Sequence, residues 1–392
     1  MQELISAYLE KYLPRRDIIH RLPVSMPISS FWPELQMARR EKSQALPLFS
    51  AEGKPFWWVL TQSISSQSEA VISLARRELV FEGAEYEEAF REAVLDEAAY
   101  SSIIEGAFTT KLEAREFIDN GRSPKNKSEQ MVKNNYEALT YVLEHIDEPI
   151  TEQTVFGIYA LITKGTLAAD VPTDAYRSQP VFVQSGRGEI VHTGPEAEKV
   201  PGMMTALLDF INNSELPPLL KACIAHFYFV YVHPFVDGNG RTARALSFMM
   251  LLQAGYDFFR YFSISGVIAG ERAKYYKAIK DVEDDDFDMT YFIDYYTGML
   301  ARAVKAMEEQ LVNKVALAQT LEGLRAAGMS SRVVDGAEWI LSGPNRSVTI
   351  KAWQKKFGVV LETARQDLFK LEKAGIVKRR LVKRQYEFEV LK

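Results

Sequence analysis

Along most of the chain, apolar residues recur every three to four positions, the spacing that lines one face of an α-helix. Within residues 1–95 the stretches QMARREKSQAL, SQSEAVISLARREL and EYEEAFREAVLDEAAY carry this period. Further on, SEQMVKNNYEALTYVLEHI, TEQTVFGIYALITKG and AEKVPGMMTALLDFINN repeat it, the second opening on Thr151, whose hydroxyl suits an N-cap. The run LPPLLKACIAHFYFVYV is apolar on every side and too long for an ordinary strand, so it predicts a buried helix. Only at 180–192 does the period change. There PVFVQSGRGEIVH gives two short β-rich runs around Ser-Gly-Arg-Gly, a hairpin signal. Another long helical stretch runs from MTYFIDYY to GLRAAG. Beyond it, VVDGAEWILSG, VTIKAWQKKFG and VLETARQDLFKLEKAGI predict three helices, and VKRRLVKRQYEFEVLK two β-rich runs. The pattern gives a mainly α protein with an N-terminal helical region (1–95), a central core (96–310), a helical connector (311–329) and a small C-terminal domain (330–392).

Composition changes this picture little. The 392 residues are 47% hydrophobic and 25% charged, ordinary for a globular chain with room for two or three domains. A net charge of −5 is mild and gives no global nucleic-acid signature. The single cysteine, Cys223, lies in an apolar run, which excludes a disulfide framework or a cysteine-based zinc site within one chain. Phe31–Trp32 and Trp57–Trp58 read as core aromatics. The N-terminus is amphipathic and acid-containing, unlike a secretory signal, and no apolar run approaches a membrane span. A cytoplasmic protein without membrane contact is the expectation.

The candidate chemistry is concentrated in residues 233–244, HPFVDGNGRTAR, followed by LSFMMLLQAG, a buried helix ending at Gly255. A loop running into a helix N-terminus presents free N–H groups and the positive dipole end to an anion. Gly238 and Gly240 let the backbone approach a bound group closely. Arg241 and Arg244 project from the first helical turns as a clamp for a polyphosphate. Asp237 is a hard oxygen ligand suited to Mg²⁺ shared with phosphates. His233 has the chemistry to take a proton from an incoming hydroxyl near neutral pH. Together these residues point to phosphoryl or nucleotidyl transfer, without choosing between them. The same letters fit the weak dinucleotide fingerprint G-x-G-x-x-A, with FYFVYV as its strand and Asp257 as its ribose acid, but no βαβ alternation flanks them.

The string resembles the Fic family signature HPFx[D/E]GNGRxxR at every fixed position. The resemblance implies a mostly helical enzyme that moves AMP from ATP onto a Tyr, Thr or Ser hydroxyl of a target protein. It implies His233 as the base, Asp237 as the Mg²⁺ ligand, Gly238, Asn239 and Gly240 as the anion hole, Arg241 as phosphate support and Arg244 as the γ-phosphate grip. It also gives meaning to SSIIEG, which resembles the family's inhibitory motif [S/T]xxxE[G/N] through Ser101, Glu105 and Gly106 (helix about 100–106). Glu105 would pair with Arg244 and repel the γ-phosphate. The hairpin at 180–192 would be the flap on which the target docks by β-augmentation. Of Tyr275 and Tyr276, Tyr276 is assigned to the adenine face. Some relatives have asparagine where this chain has Glu283, and the acidic run Glu283 to Asp286 reads as a solvated helix cap. His226 reads as a packed core histidine. The C-terminal domain resembles a winged helix, with Thr363, Arg365 and Gln366 on the recognition helix and Lys378, Arg379, Arg380, Lys383 and Arg384 on a basic wing, so DNA is a candidate partner. Removal of AMP at the same site, a nucleotide-sensing transcriptional regulator and a homodimer remain open alternatives.

Overall fold

The computed structural model describes residues 1–75, 84–184, 190–343, 347–382 and 385–391. The chain divides into two compact units, Met1–Val304 and Lys305–Lys392.

The first unit is built on the helix Pro218–Val232. Its flanking Pro217 and first-turn Pro218 cost no internal hydrogen bond there, and twelve of its residues, from Leu219 to Val232, are buried. Cys223 and His226 are among them. Each fully buried large apolar side chain on it contributes about 1.5–3 kcal/mol, so this helix anchors whatever follows it. It packs along the helix Asn239–Gln253, which is buried from Asn239 to Leu252 except at Gly240. Around this pair lie the helices Ala84–Ile104, Lys127–Glu144, Glu152–Thr163 and Val200–Asn213. Thr151 caps the third of these, accepting from the Thr154 N–H. Because FYFVYV is helical, the dinucleotide reading loses its strand.

The N-terminal residues depart from an all-helical expectation. The helix Ile28–Arg40 stops before SQAL, and the strand Gln44–Phe49 pairs antiparallel with Pro55–Trp58, Gln44 opposite Trp58. Gly53, at φ 79°, makes the turn. The helical period of QMARREK had hidden a strand whose inward residues Leu46 and Leu48 alternate as a half-buried strand should. Phe31, Trp32, Trp57 and Trp58 are buried. Position 95 falls inside the helix Ala84–Ile104, so no break in structure occurs there.

The acidic run is also different from a solvated cap. Asp285 is buried and accepts the Arg15 backbone N–H at 3.0 Å. Asp286 pairs with Arg40 and Lys54, and Glu283 lies 2.8 Å from His192 of the strand Ile190–Thr193. These carboxylates hold segments distant in sequence, and only Asp284 is exposed to solvent.

In the second unit the helices Ser331–Ser342, Ile350–Phe357 and Leu361–Lys373 pack on a three-stranded antiparallel sheet. Gln385–Val390 lies between Ser347–Thr349 and Val377–Val382. Ser347–Thr349, of which Val348 and Thr349 are read as helical from sequence, is a short strand whose Thr349 caps the next helix. Trp353, Leu368 and Phe388 centre the core, and Gly336 leaves no room for a Cβ against the Trp353 ring. Ser185, Gly186, Arg187 and Gly188 of the hairpin turn, and Lys383 and Arg384, lie outside the described residues. No helix among the described residues is long and apolar enough to cross a membrane.

Candidate active site

The helix Pro218–Val232 ends at His233 in the left-handed conformation, φ 48°. Such backbone is uncommon without glycine and costs about 1 kcal/mol or more. The His233 Nδ1 lies 3.2 Å from the Val230 carbonyl. A carbonyl only accepts, so Nδ1 carries the proton and Nε2 keeps its lone pair, the tautomer a base requires. Burial first, then the neighbouring His192, holds the His233 pKa down to about 4.

The loop after His233 is stitched by Asn239. Its Oδ1 accepts from the Phe235 N–H at 2.9 Å and its Nδ2 donates to the Phe235 carbonyl at 2.8 Å. The side chain expected to face an anion is therefore occupied, and Asn239 offers its backbone alone. Gly238 caps the next helix at φ 84°, where an added Cβ would press on Thr163 at 3.0 Å. Asp237 Oδ1 accepts from the Gly238 N–H at 2.6 Å and lies 3.3 Å from Arg241 Nη2, while its side chain remains 46% exposed. One hard carboxylate, half open to solvent, fits a Mg²⁺ that keeps most of its waters. No group of three or more ligating side chains gathers among the described residues.

The two arginines differ. Arg241 is fully buried, donating to the Ile162 carbonyl at 3.1 Å and to Asp237, which makes it a strut between loop and helix. Arg244 donates from Nε to the Ser101 hydroxyl (2.8 Å) and from Nη2 to both the Ser101 carbonyl (2.9 Å) and the Glu105 carboxylate (2.8 Å). Its Nη1 is buried without a partner among the described residues and lies 3.2 Å from where a Cβ on Gly240 would stand. That same Cβ would come within 2.1 Å of Glu105 Oε1. The carboxylate thus lies against the first turn of the helix Asn239–Gln253. Gly106, at φ 92°, turns the chain immediately after it.

The tyrosine pair splits. Tyr275 is buried and its hydroxyl lies 2.9 Å from His226 Nε2, so both belong to the core. Tyr276 is half-buried, with the Arg272 guanidinium 5.5 Å from its ring centre. Its hydroxyl pKa is raised by burial and then by Glu105, which puts it in the field of the same site. Sequence reasoning missed Arg177, which donates to the His233 carbonyl, His192, which meets the Tyr231 carbonyl, and Gly194, which lies against Arg177.

His233, with the lone pair of Nε2 free, and the start of the helix Asn239–Gln253 thus flank one short loop. Residues 149–251 match the Fic/DOC family. The chain is 32% identical over 181 residues to "Protein adenylyltransferase Fic" of Nematostella vectensis, covering 43% of this chain and 40% of that one. It is 35% identical over 88 residues to "Protein adenylyltransferase fic-1" of Caenorhabditis elegans, covering 22% and 16%. The chain thus matches less than half the length of these relatives. In fold it is similar to a Fic family protein from Desulfovibrio desulfuricans G20, with a TM-score of 0.56 at 21% identity over 85% of this chain and 97% of that one.

Proposed function

We propose that this chain transfers AMP from ATP onto a Tyr, Thr or Ser hydroxyl of another protein, and that Glu105 restrains it. The observation that carries the reading is the geometry at Gly240, with the Glu105 carboxylate packed against the helix start and paired with Arg244 Nη2 at 2.8 Å. The site is an anion site filled by the protein's own anion. With Glu105 displaced, the Asn239 and Gly240 backbone N–H groups and Arg244 take the phosphates. His233 Nε2 accepts the proton of the target hydroxyl, whose oxygen attacks the α-phosphorus. The P–O bond to the β-phosphate breaks, and pyrophosphate leaves with its charge held by the helix N-terminus and Arg244. Asp237 would hold Mg²⁺, which supplies charge neutralisation at the phosphates when bound. Tyr276 supports the adenine. The target strand pairs with the hairpin Phe182–Gln184/Ile190–Thr193, whose register shift at Gln184 leaves a bent edge. Incubating the full chain with α-labelled ATP, Mg²⁺ and candidate proteins tests this, using Glu105→Gly to raise signal and His233→Ala to abolish it. Equal labelling by those two variants would overturn the assignment.

A second role falls to residues 330–392, for which we propose a winged helix that contacts DNA. They carry 14 Lys and Arg against 7 Asp and Glu, opposite in sign to the chain as a whole. Lys378, Arg379 and Arg380 are exposed along Val377–Val382, and Arg365 and Gln366 are exposed near the start of Leu361–Lys373, with Thr363 partly covered. Three of these arginines pair with local acids, Arg365 with Glu362, Arg379 with Glu372 and Arg380 with Glu389. The attraction is therefore modest and salt-sensitive.

A further inference from the structure

Arg177 is 5% exposed, and among the described residues no carboxylate pairs with it. Burying a guanidinium without a counter-charge is costly unless its donors are all used. Here they go to backbone carbonyls. Nε donates to His233 O at 2.7 Å, Nη1 to Gln179 O at 2.9 Å, and Nη2 to Pro195 O at 2.6 Å and Val232 O at 3.4 Å. The Arg177 backbone N–H donates in turn to Pro234 O at 2.9 Å.

These acceptors fall into two groups. Val232 and His233 are the last carbonyls of the helix Pro218–Val232, which its own turns leave unpaired. Gln179 and Pro195 flank the two strands of the hairpin. His192 adds to the same cap, its Nε2 donating to Tyr231 O at 2.8 Å while Glu283 meets Nδ1 on the other side. Two side chains beside the hairpin thus close the helix end from which His233 is presented. A second observation points the same way. A Cβ on Gly194 would come within 2.9 Å of both Arg177 Nη2 and Val181 Cγ2, so the guanidinium fits only because residue 194 has no side chain.

We propose that Arg177 is a positioning residue of this site, locking the left-handed backbone of His233 and both feet of the hairpin into one rigid unit. It touches no substrate. Its planar fork reaches acceptors on both sides at once, which a lysine ammonium cannot do. The proposal rests on His233 acting as the base.

The test uses the full chain carrying Glu105→Gly, with Arg177→Ala, Arg177→Lys or Gly194→Ala added. Expected is a fall in kcat of about 100-fold for Arg177→Ala, the scale set by a small misplacement of a reacting group. ATP should still bind at one per chain, with KM for ATP changed by less than about threefold. Gly194→Ala should reproduce the kcat loss with the arginine still present, and Arg177→Lys should recover only part of it. Millimolar guanidinium ion should restore activity to Arg177→Ala, whereas methylammonium should not. An NMR readout does not depend on transfer. The His233 imidazole gives one sharp set of signals in the parent and broadened or multiple sets in Arg177→Ala and Gly194→Ala. If the parent transfers nothing, the reaction assigned above fails and the NMR arm still decides the role of Arg177. Unchanged kcat and unchanged imidazole signals in both variants overturn the proposal, as does loss of ATP binding and kcat together without guanidinium rescue.

Discussion

The Glu105 carboxylate lies 2.8 Å from Arg244 Nη2 and directly over Gly240. Arg244 is almost wholly buried, so its charge is shielded from water and must find an anion within the protein or in a ligand. On the proposed function, a phosphate oxygen would replace the carboxylate at Nη2. Removing the carboxylate as Glu105→Gly should raise ATP affinity and label transfer by about 10- to 100-fold, within the few kcal/mol that two charges about 4 Å apart exchange near a protein surface. Titration calorimetry with ATP and Mg²⁺ checks the binding half of this.

Gly240 tests the seat itself. Gly240→Ala places a methyl where Glu105 Oε1 now lies, and the glutamate can swing away at its flexible end. The fold should survive with a stability change of about 1 kcal/mol or less, as for a helix-terminal glycine. The methyl would still occupy the phosphate's place. Glu105→Gly/Gly240→Ala should therefore bind ATP at least about 10-fold more weakly than Glu105→Gly alone, a difference of about 1.4 kcal/mol. Equal affinities for the single and double variants would remove the helix N-terminus from the account.

The pH profile follows from His233. Its ordinary value near 6.5 is lowered by burial to about 4, so the ring is already neutral and able to accept a proton at pH 5.5. Raising the pH further adds no base. At saturating ATP, kcat of Glu105→Gly should show no inflection near 6.5 and should fall only as pH approaches 4. An imidazole-like rise centred at 6.5 would show that the lone pair is not held as the structure has it.

Much of this site was legible because its chemistry is contiguous. His233, Asp237, the glycines and both arginines fall within twelve residues, and helix periodicity placed them at a helix start. Ser101 and Glu105 were legible through spacing and the resemblance, and the structure brings them to Arg244. Arg177 was not legible, because it acts on carbonyls about 55 residues away and carbonyls have no residue signature. Glu283 and its acidic neighbours looked like solvent-facing charge because their partners, His192, Arg15, Arg40 and Lys54, are far apart in sequence. The strands Gln44–Phe49 and Ser347–Thr349 were lost at the ends of helical patterns, where period carries least information.

In residues 330–392, DNA affinity should come from a few phosphate contacts, since Arg365, Arg379 and Arg380 are each engaged by a nearby glutamate. Fluorescence anisotropy of labelled duplex DNA with the full chain should give a log K against log salt slope of about −2 to −4, roughly 0.9 per phosphate contacted. Lys378→Ala, which removes an exposed cation, should reduce that slope by about one. No measurable affinity at 50 mM salt would make this domain a protein-contact module.

Acid stability depends in part on a second histidine, His226. His226 sits among Tyr275, Phe292 and Tyr296, and burial holds its pKa down to about 3 against an ordinary 6.5. Between those values the unfolded chain binds a proton that the folded chain refuses. Its stabilising contribution is therefore complete above about pH 6.5 and is lost as pH falls towards 3. The slope is up to about 1.4 kcal/mol per pH unit for one such group. His233 adds in the same direction over a narrower window. In urea unfolding of the full chain, His226→Gln should flatten the decline between pH 6.5 and 4.5 by most of one proton's worth, while lowering stability at pH 7 by about 1–3 kcal/mol through the altered bond to Tyr275. If the pH slope is unchanged in His226→Gln, the acid sensitivity belongs to groups other than this histidine.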